Sequence, residues 1–354
     1  MSELKSSTIY NGIDIFKLIA SILIIFLHAT DPTDHYATAF MIIFTRFAVP
    51  FFFISSGFFL HKGLSRTDNS RQYFKKYLKN LLVSFLVWAI IIYSPFIITS
   101  YIKNNPSISL LKIVLLVFRR IFIIGPGPYW YLLVLLISAV FICFCHINKK
   151  DSLLTFVMIL GFSLQIAYVC FSGVLSKIFI FDLLFKGIYF VFSWEFNFIM
   201  YGIPFMGIGY FFSKKNIHLK PSASAVIFIF ATLFKYFEYI IPEIFPSEFW
   251  NGNEIFVAYG LQAISFFLLA KAITFNISKK TSLFLRQLSS FIYFSHAILL
   301  YNILDPILYK FTNWQQHLYA TTLPKTLIIL FTCVLLFILI KRINNKYLNL
   351  LLNA

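Results

Sequence analysis

The stretch GIDIFKLIASILIIFLHA, from Gly12 to Ala29, decides what kind of protein this chain forms. About 20 consecutive apolar residues cross the hydrocarbon core of a bilayer as a helix, and this stretch comes close to that length. Similar apolar segments recur as far as Ile340, with no soluble block between them. The sequence therefore predicts an all-α, polytopic membrane protein with a retained first span and a single domain over residues 1–354.

The composition supports the same conclusion, since 60% of the residues are hydrophobic and only 12% are charged. Ordinary soluble domains carry about twice that share of charge. Windows of spanning length predict about ten transmembrane helices. They are 12–29, 38–60, 80–101, 129–147, 152–172, 196–213, 222–241, 254–274, 286–303 and 324–341. The apolar but charge-interrupted segments 109–124 and 175–194 are predicted to be interfacial or re-entrant helices.

The distribution of charge predicts topology and excludes some partners. The formal net charge is +17, and the basic residues accumulate in alternate loops if the N-terminus is inside. We therefore predict that both termini are cytoplasmic. Nucleic acid is not expected as a partner, because no basic patch is interleaved with aromatic residues. The four cysteines lie within apolar runs, so we expect no metal site. Lys235 and Glu238, three residues apart, are predicted to pair.

The first predicted span carries ionisable residues that a lipid-facing helix does not tolerate. Lys17 and His28 are eleven residues apart. On an α-helix this spacing gives about 16 Å of rise and a phase difference of only about 20°. With Asp14 one turn before Lys17, the helix presents a polar stripe that we expect to face a hydrated cavity. The alternative is that Asp14 and Lys17 snorkel to the inner interface and His28 sits at the outer one.

Two later spans also contain polar residues at membrane depth. Arg46 lies about eight residues into the second predicted span, about 12 Å from its outer end. An arginine there favours a hydrated cavity or an anionic group, although a structural role stays open. His296 follows Ser289 and Tyr293 in the ninth predicted span. A packed, hydrogen-bonded histidine is the alternative to a functional one.

The loop after the second predicted span is strongly basic. It contains one acid, Asp68, and the cations Lys62, Arg66, Arg71, Lys75, Lys76 and Lys79. Cytoplasmic loops often carry such charge only to set topology beside anionic lipid. The functional interpretation is a cytoplasmic site for a polyanionic cofactor.

Taken together, these motifs resemble the acyltransferase 3 family of bacterial membrane proteins. The resemblance spans most of the chain and rests on the Lys17 to His28 spacing after Asp14, TRFAVPFFFISSGFFL (Thr45 to Leu60), Lys76 with Lys79, GPYWYL (Gly127 to Leu132), GIPFMGIGY (Gly202 to Tyr210), and Ser289 with Tyr293 and His296. The sequence departs from the family pattern at Phe196, where arginine is frequent, and in having lysines in both basic motifs. Lysine lacks the planar fork with which arginine binds anions.

The resemblance implies a fold, a reaction and its partners. Family members transfer acyl groups, usually acetyl, to extracytoplasmic glycans and related acceptors. For this chain it implies an acyl-CoA donor such as acetyl-CoA, a glycan or lipid-linked glycan acceptor, and a multi-pass location in the bacterial cytoplasmic membrane. The membrane domains of vancomycin-resistance serine racemases share the resemblance.

The resemblance also implies roles for individual residues of this chain. The catalytic set is Asp14, Lys17 and His28, with His28 acting as a general base or becoming acylated in a relay. The donor-binding set is Arg46, Arg71, Lys75, Lys76 and Lys79. The acceptor-binding set is Trp130, Ser289, Tyr293 and His296, with Trp130 stacking on a sugar or anchoring the helix at the interface.

A second class of function fits the same residues. A transporter or flippase for a glycan or a small polar solute would line its path with the same intramembrane charges. The sequence leaves both hypotheses open.

Overall fold

A computed structural model describes residues 10–96, 109, 111–112, 114–115, 130–192, 197–244, 257–310, 322–345 and 348–352. These residues are helical apart from short connections and contain no β-strand, so the all-α prediction is confirmed for the described part of the chain. Most of the segment 109–124, the residue Phe196 and the first three residues of GPYWYL lie outside the described residues.

The architecture consists of helices that we number in chain order. They are α1 (Asn11–Ala29), α2 (His35–Phe44), α3 (Ala48–Ser65), α4 (Ser70–Phe96), α5 (Trp130–Ile147), α6 (Asp151–Leu175), α7 (Phe179–Phe192), α8 (Ile203–Lys214), α9 (Pro221–Ile244), α10 (Val257–Ala272), α11 (Lys279–Ile298), α12 (Asp305–Lys310) and α13 (Thr322–Ile343). A π-helical turn, Phe198–Gly202, leads into α8, and a second, Leu299–Leu304, joins α11 to α12. A 3₁₀ turn, Leu348–Leu352, follows α13.

Seven helical segments in the described part of the chain are long and apolar enough to cross a membrane. They are Asn11–Ala29, His35–Ser65, Trp130–Ile147, Asp151–Leu175, Pro221–Ile241, Lys279–Ile307 and Thr322–Ile343, and α10 is a shorter apolar helix. Their outer faces expose large apolar side chains such as Phe156, Phe230 and Phe331, as lipid contact requires. The chain is therefore a multi-pass membrane protein, while the count of ten spans and the cytoplasmic termini stay predictions.

The second predicted span, 38–60, is a broken helix rather than a straight one. Between α2 and α3 the chain turns at residues 45–47, and the Thr45 hydroxyl donates to the Met41 carbonyl oxygen at 2.6 Å. Pro50 lies in the first turn of α3, where its missing N–H costs no helical hydrogen bond. Arg46 consequently occupies a turn inside the bundle and not a regular helical position.

Glycines bring α3 and α8 into close contact at the centre of the bundle. A Cβ atom on Gly57 would stand 1.8 Å from the Met206 carbonyl oxygen, and one on Gly209 would stand 1.8 Å from that of Ile54. Small residues allow such backbone contact between membrane helices, where van der Waals packing is a main source of association. The contact fixes α3 against α8. It thereby sets the position of the turn that contains Arg46, before α3, and of the aromatic residues at the end of α3.

Hydrogen bonds between helix ends define two ends of the bundle. At the first, which we call the basic end, the Phe275 N–H donates to the Asn11 side chain at 3.0 Å, and Lys271 donates to the Ile217 carbonyl oxygen. At the second, the histidine end, the Asp31 N–H donates to the Thr322 hydroxyl at 3.2 Å. Helix α1 runs from the basic end to the histidine end.

Candidate functional site

Asp14 is fully buried near the start of α1 and is bound to α11. Arg286 donates from Nε and Nη2 to the two carboxylate oxygens at 2.9 and 3.0 Å, and the Ser282 hydroxyl donates to Oδ2. A bidentate pair between guanidinium and carboxylate is strong and fixes geometry. The contacts therefore make Asp14 a joint between α1 and α11, and its catalytic role stays a prediction.

Lys17 lies one turn further along α1 and faces the interior. Its Nζ stands 5.2 Å from the centre of the Phe59 ring. The side chain lines a cavity of about 220 Å³, whose other walls are Phe52, Ser56, Tyr77, Asn80, Leu81, Ser84, Tyr131, Leu132, Leu135, Ser290, Tyr293 and Phe294. Many of these residues are polar, so Lys17 reaches a cavity that suits a polar ligand.

His28, near the far end of α1, lies between two rings of the α11 region. Its Nδ1 is 3.1 Å from the Tyr301 hydroxyl. On the other side its ring centre is 5.2 Å from that of His296, with 31° between the planes. The contact at Nδ1 and the His296 ring on the opposite side hold the imidazole in place.

His296 is fully buried and has an unusual hydrogen-bonding state. Its Nδ1 is 3.1 Å from the Ile292 carbonyl oxygen, which can only accept, so Nδ1 carries a proton. Its Nε2 is buried and has no hydrogen-bond partner among the residues that the structure describes. Buried polar atoms are nearly always paired, and an exception calls for a functional explanation.

A series of rings leads from the cavity at Lys17 to the imidazole of His28. Among the described residues the cavity wall includes Tyr293 but not His28. The Tyr293 ring centre lies 6.1 Å from that of His296, which contacts His28 in turn. The described residues thus connect Lys17 with His28 through the rings of Tyr293 and His296, and a cavity that reaches both stays a prediction.

Arg46 belongs to the histidine end, away from the other predicted donor-binding residues. It lies in the turn between α2 and α3, close enough to His28 for its charge to act on the imidazole. The structure thus brings Arg46 together with His28. Its assignment to the donor-binding set stays a prediction, and a role in supplying positive potential beside the imidazole fits its position equally.

The other predicted donor-binding residues lie on a helix and not in a loop. Helix α4 begins at Ser70, ten residues before the predicted start of the third span. Arg71, Lys75 and Lys79 recur at intervals of four, so they share one exposed face. Lys76 is also exposed. The same helix supplies Tyr77, Asn80, Leu81 and Ser84 to the cavity wall.

Comparison with known proteins identifies the family to which this chain belongs. The sequence model of a family described as "Acyltransferase domain" matches residues 10–342, which is nearly the whole chain. The chain belongs to the acyltransferase 3 family. Two curated relatives, both described as "Amino-acid racemase" from Enterococcus faecalis, are 34% identical over 136 residues and 33% identical over 129 residues. These matches cover 35% and 34% of this chain and 18% and 17% of the relatives, so the chain spans under a fifth of their length. No solved structure matches.

Besides His296, the three other predicted acceptor-binding residues occupy different settings. Tyr293 lines the cavity, whereas Ser289 is fully buried and donates to the Arg286 carbonyl oxygen at 2.9 Å. The neighbouring Ser290 lines the cavity instead. Trp130, the first residue of α5, packs edge-on against Tyr201 with ring centres 5.4 Å apart.

Tyr301 is a residue of the candidate site that sequence reasoning missed. It lies five residues after His296, and five residues on an α-helix correspond to about 140°, which puts the two side chains on different faces. The π-helical turn Leu299–Leu304 changes this phase. Such turns concentrate at functional sites, but they leave no pattern that hydrophobic periodicity detects.

Lys235 and Glu238 form the predicted buried pair. Their charged atoms are 3.5 Å apart, and both side chains are almost fully buried. Glu238 also accepts from the Ala258 N–H at 3.0 Å, which joins α9 to the start of α10. The prediction of an ion pair is confirmed, and its contacts are those of a connection between helices.

Proposed function

We propose that this chain is an O-acyltransferase of the bacterial cytoplasmic membrane. It transfers an acyl group, acetyl in the first instance, from acyl-CoA to a hydroxyl of an extracytoplasmic or lipid-linked glycan. In this proposal ten helices cross the membrane and both termini are cytoplasmic. The observation that carries it is one helix, α1, holding Lys17 on a polar cavity and His28 between His296 and Tyr301.

The donor approaches from the basic end. Acyl-CoA is polyanionic, and the basic end brings Lys62 of α3 and Lys271 of α10 to the Phe58 ring beside the start of α1. The cavity beside Lys17 accommodates the thioester, and the Lys17 ammonium stabilises the negative charge that develops on its carbonyl oxygen. Such stabilisation is strongest where water is excluded.

His28 supplies the proton chemistry. With its Nδ1–H donated to the Tyr301 oxygen, its Nε2 lone pair takes the proton of the acceptor hydroxyl as that oxygen attacks the thioester carbon. The tetrahedral intermediate collapses, the carbon–sulfur bond breaks, and the proton passes to the leaving thiolate. The products are the ester and free CoA.

A relay gives the same products in two steps. An imidazole nitrogen first attacks the thioester and releases CoA, and the acceptor hydroxyl then attacks the acyl-imidazole. Tyr293 and His296 lie between the cavity and His28, so the acyl group reaches His28 after the Tyr293 ring moves or after His296 passes it on. Both routes require His28.

The test is acetyl transfer from labelled acetyl-CoA in membranes containing either the natural chain or His28→Ala. We expect the variant to lose at least about 100-fold in rate, the usual contribution of a positioned acid–base group. His35→Ala, which changes an exposed histidine at the start of α2, serves as the matched control and should keep full activity.

Two outcomes would contradict the proposal. Undiminished transfer by His28→Ala removes this imidazole from the reaction. Absence of transfer by the natural chain, with movement of a glycan or small solute intact, favours the transport hypothesis. Mass spectrometry of surface glycans with and without the gene then identifies the acceptor.

A further inference from the structure

Two adjacent phenylalanines near the end of α3 carry four cationic side chains. Lys62 and Lys271 have their Nζ atoms 5.5 and 5.3 Å from the centre of the Phe58 ring. On the neighbouring ring, that of Phe59, lie Lys17 Nζ at 5.2 Å and Arg286 Cζ at 5.7 Å. Aromatic faces attract cations, so these rings hold the positive charges in fixed positions.

The carboxylate in this region is hydrogen-bonded to one of the four cations. Asp14 is bound through both oxygens to Arg286. Over the described ranges neither Lys62 nor Lys271 has a carboxylate within ion-pair distance. Lys62 donates to the Tyr10 hydroxyl and Lys271 to the Ile217 carbonyl oxygen, and both acceptors are neutral.

A third basic group borders these lysines. The exposed His218 lies in the connection between α8 and α9, and its pKa is lowered, first by partial desolvation and then by the charges of Lys271 and Lys62. Within the described ranges, three basic side chains from three separate elements therefore lie close together, and none of them has a carboxylate within ion-pair distance. Mutual repulsion disfavours such a group in isolation, and an anion relieves it.

The surrounding backbone holds this group rigidly. Gly12 packs so closely on α10 that a Cβ atom there would lie 2.2 Å from the Ala270 carbonyl oxygen. Asn11 exchanges two hydrogen bonds with the backbone of Phe275. These contacts lock the start of α1, and with it Tyr10, against the end of α10 that carries Lys271.

We propose that Lys62 and Lys271, with His218 beside them, bind a phosphate group at the basic end. The inference rests on the proposed function for its ligand, which is the nucleotide end of acyl-CoA. A phosphate held here lies next to the Phe59 ring and hence next to Lys17, which lines the cavity. An anionic lipid headgroup carries the same chemistry and is the other source that the experiment separates.

This placement differs from the donor-binding set predicted from the sequence. Arg71, Lys75, Lys76 and Lys79 are exposed on α4, whereas Lys271 is only 7% exposed and is fixed by a backbone acceptor. A preorganised cation loses less freedom when it binds an anion than a mobile surface one does. The exposed Lys149 and Lys150, in the connection between α5 and α6, belong to neither set and provide a matched control.

The experiment titrates CoA, without an acyl group, into the purified full-length chain in nanodiscs of neutral lipid. We expect Lys62→Gln/Lys271→Gln to weaken CoA binding at least tenfold. Lys149→Gln/Lys150→Gln, which removes the same charge, should change it less than threefold. Lys62→Arg/Lys271→Arg should restore most of the affinity. In the natural chain CoA should protect Lys62 and Lys271 from an amine-reactive reagent, a readout that needs no variant.

The outcomes distinguish CoA from lipid as the source of the phosphate, and they distinguish failure of the phosphate site from failure of the proposed function. Unchanged CoA affinity in Lys62→Gln/Lys271→Gln, with loss of co-purified anionic lipid by mass spectrometry, assigns the phosphate to lipid. Unchanged CoA affinity and unchanged lipid content overturn the phosphate site while leaving the proposed function standing. Failure of the natural chain to bind CoA contradicts the proposed donor itself.

Discussion

The two ends of helix α1 are built in opposite ways. At the basic end the Asp14 carboxylate is fully buried and receives donors from Ser282 and twice from Arg286. At the histidine end His296 is also fully buried, yet in the described part of the chain its Nε2 has no hydrogen-bond partner. At the basic end both oxygens of the Asp14 carboxylate accept hydrogen bonds. At the histidine end the basic Nε2 of His296 accepts none from the described residues.

This difference has an energetic meaning. A buried polar atom without a partner costs about 1–3 kcal/mol, so a fold that keeps one gives up stability at that place. Proteins break local rules in this way mainly at functional sites. The comparison agrees with the proposed function, in which the Asp14 end joins helices and the His28 and His296 end carries the chemistry.

The largest expected effect comes from His296→Phe. The ring is similar in size and removes the unpaired Nε2, so thermal stability should stay unchanged or rise. Acyl transfer should fall about 100-fold, the loss typical of a missing acid–base or relay group. Unfolding and labelled acetyl transfer measured on one preparation test both halves. Retained activity together with lower stability would show that His296 is only a packed histidine.

Next in size is Asp14→Asn. Fully buried ion pairs cost 3–5 kcal/mol when one partner is removed, but Arg286 is 46% exposed and water can solvate it. We therefore expect a loss of about 1–3 kcal/mol in the free energy of unfolding. Asp68→Asn, at an exposed position between α3 and α4, should change stability little. Lost transfer with intact stability would instead support the predicted catalytic role of Asp14.

Tyr301→Phe sharpens the comparison at the histidine end. When the Tyr301 hydroxyl is removed, His28 loses the hydrogen bond at Nδ1 and its ring is held less precisely. We expect kcat to fall about tenfold with the KM for acyl-CoA unchanged, in keeping with removal of an interaction that acts on the chemical step. Tyr36→Phe is the control, since Tyr36 is 91% exposed. A raised KM at constant kcat would point to substrate binding.

The smallest effect is expected from Thr33→Ala in the connection after α1. The pKa of Asp31 lies below its ordinary value because the Thr33 N–H and hydroxyl donate to its carboxylate, at 2.9 and 2.7 Å. Removing the hydroxyl raises this pKa and costs a few tenths of a kcal/mol at neutral pH.

The direction of the pKa shift determines how the stability difference between Thr33→Ala and the natural chain depends on pH. A lowered carboxyl pKa stabilises the fold above the unfolded-state value and loses that effect as pH falls through the folded-state value. Thermal unfolding of Thr33→Ala and the natural chain should therefore differ at pH 7 and converge in acid, once the Asp31 carboxylate is protonated. A difference that persists in acid would place the effect outside the Asp31 carboxylate.

The fold class followed from the sequence because spanning length and apolarity are properties of each segment alone. The helices α1, α5, α6 and α13 begin and end within a few residues of the predicted spans. The break at Arg46 and the early start of α4 were missed. The first depends on a turn stabilised within the bundle, and the second on charged residues that continue a helix beyond the apolar run.

By itself, the sequence determined the polar stripe of α1, because the spacing of Asp14, Lys17 and His28 sets their common face on any α-helix. It also determined the Lys235 and Glu238 pair, which a single helix brings together. Only the tertiary structure decided the partners across helices: Arg286 on Asp14, Tyr301 and His296 around His28, and the two lysines on Phe58. These contacts depend on how α11, α10 and α3 pack against α1, and on a π-helical turn whose phase no local periodicity encodes.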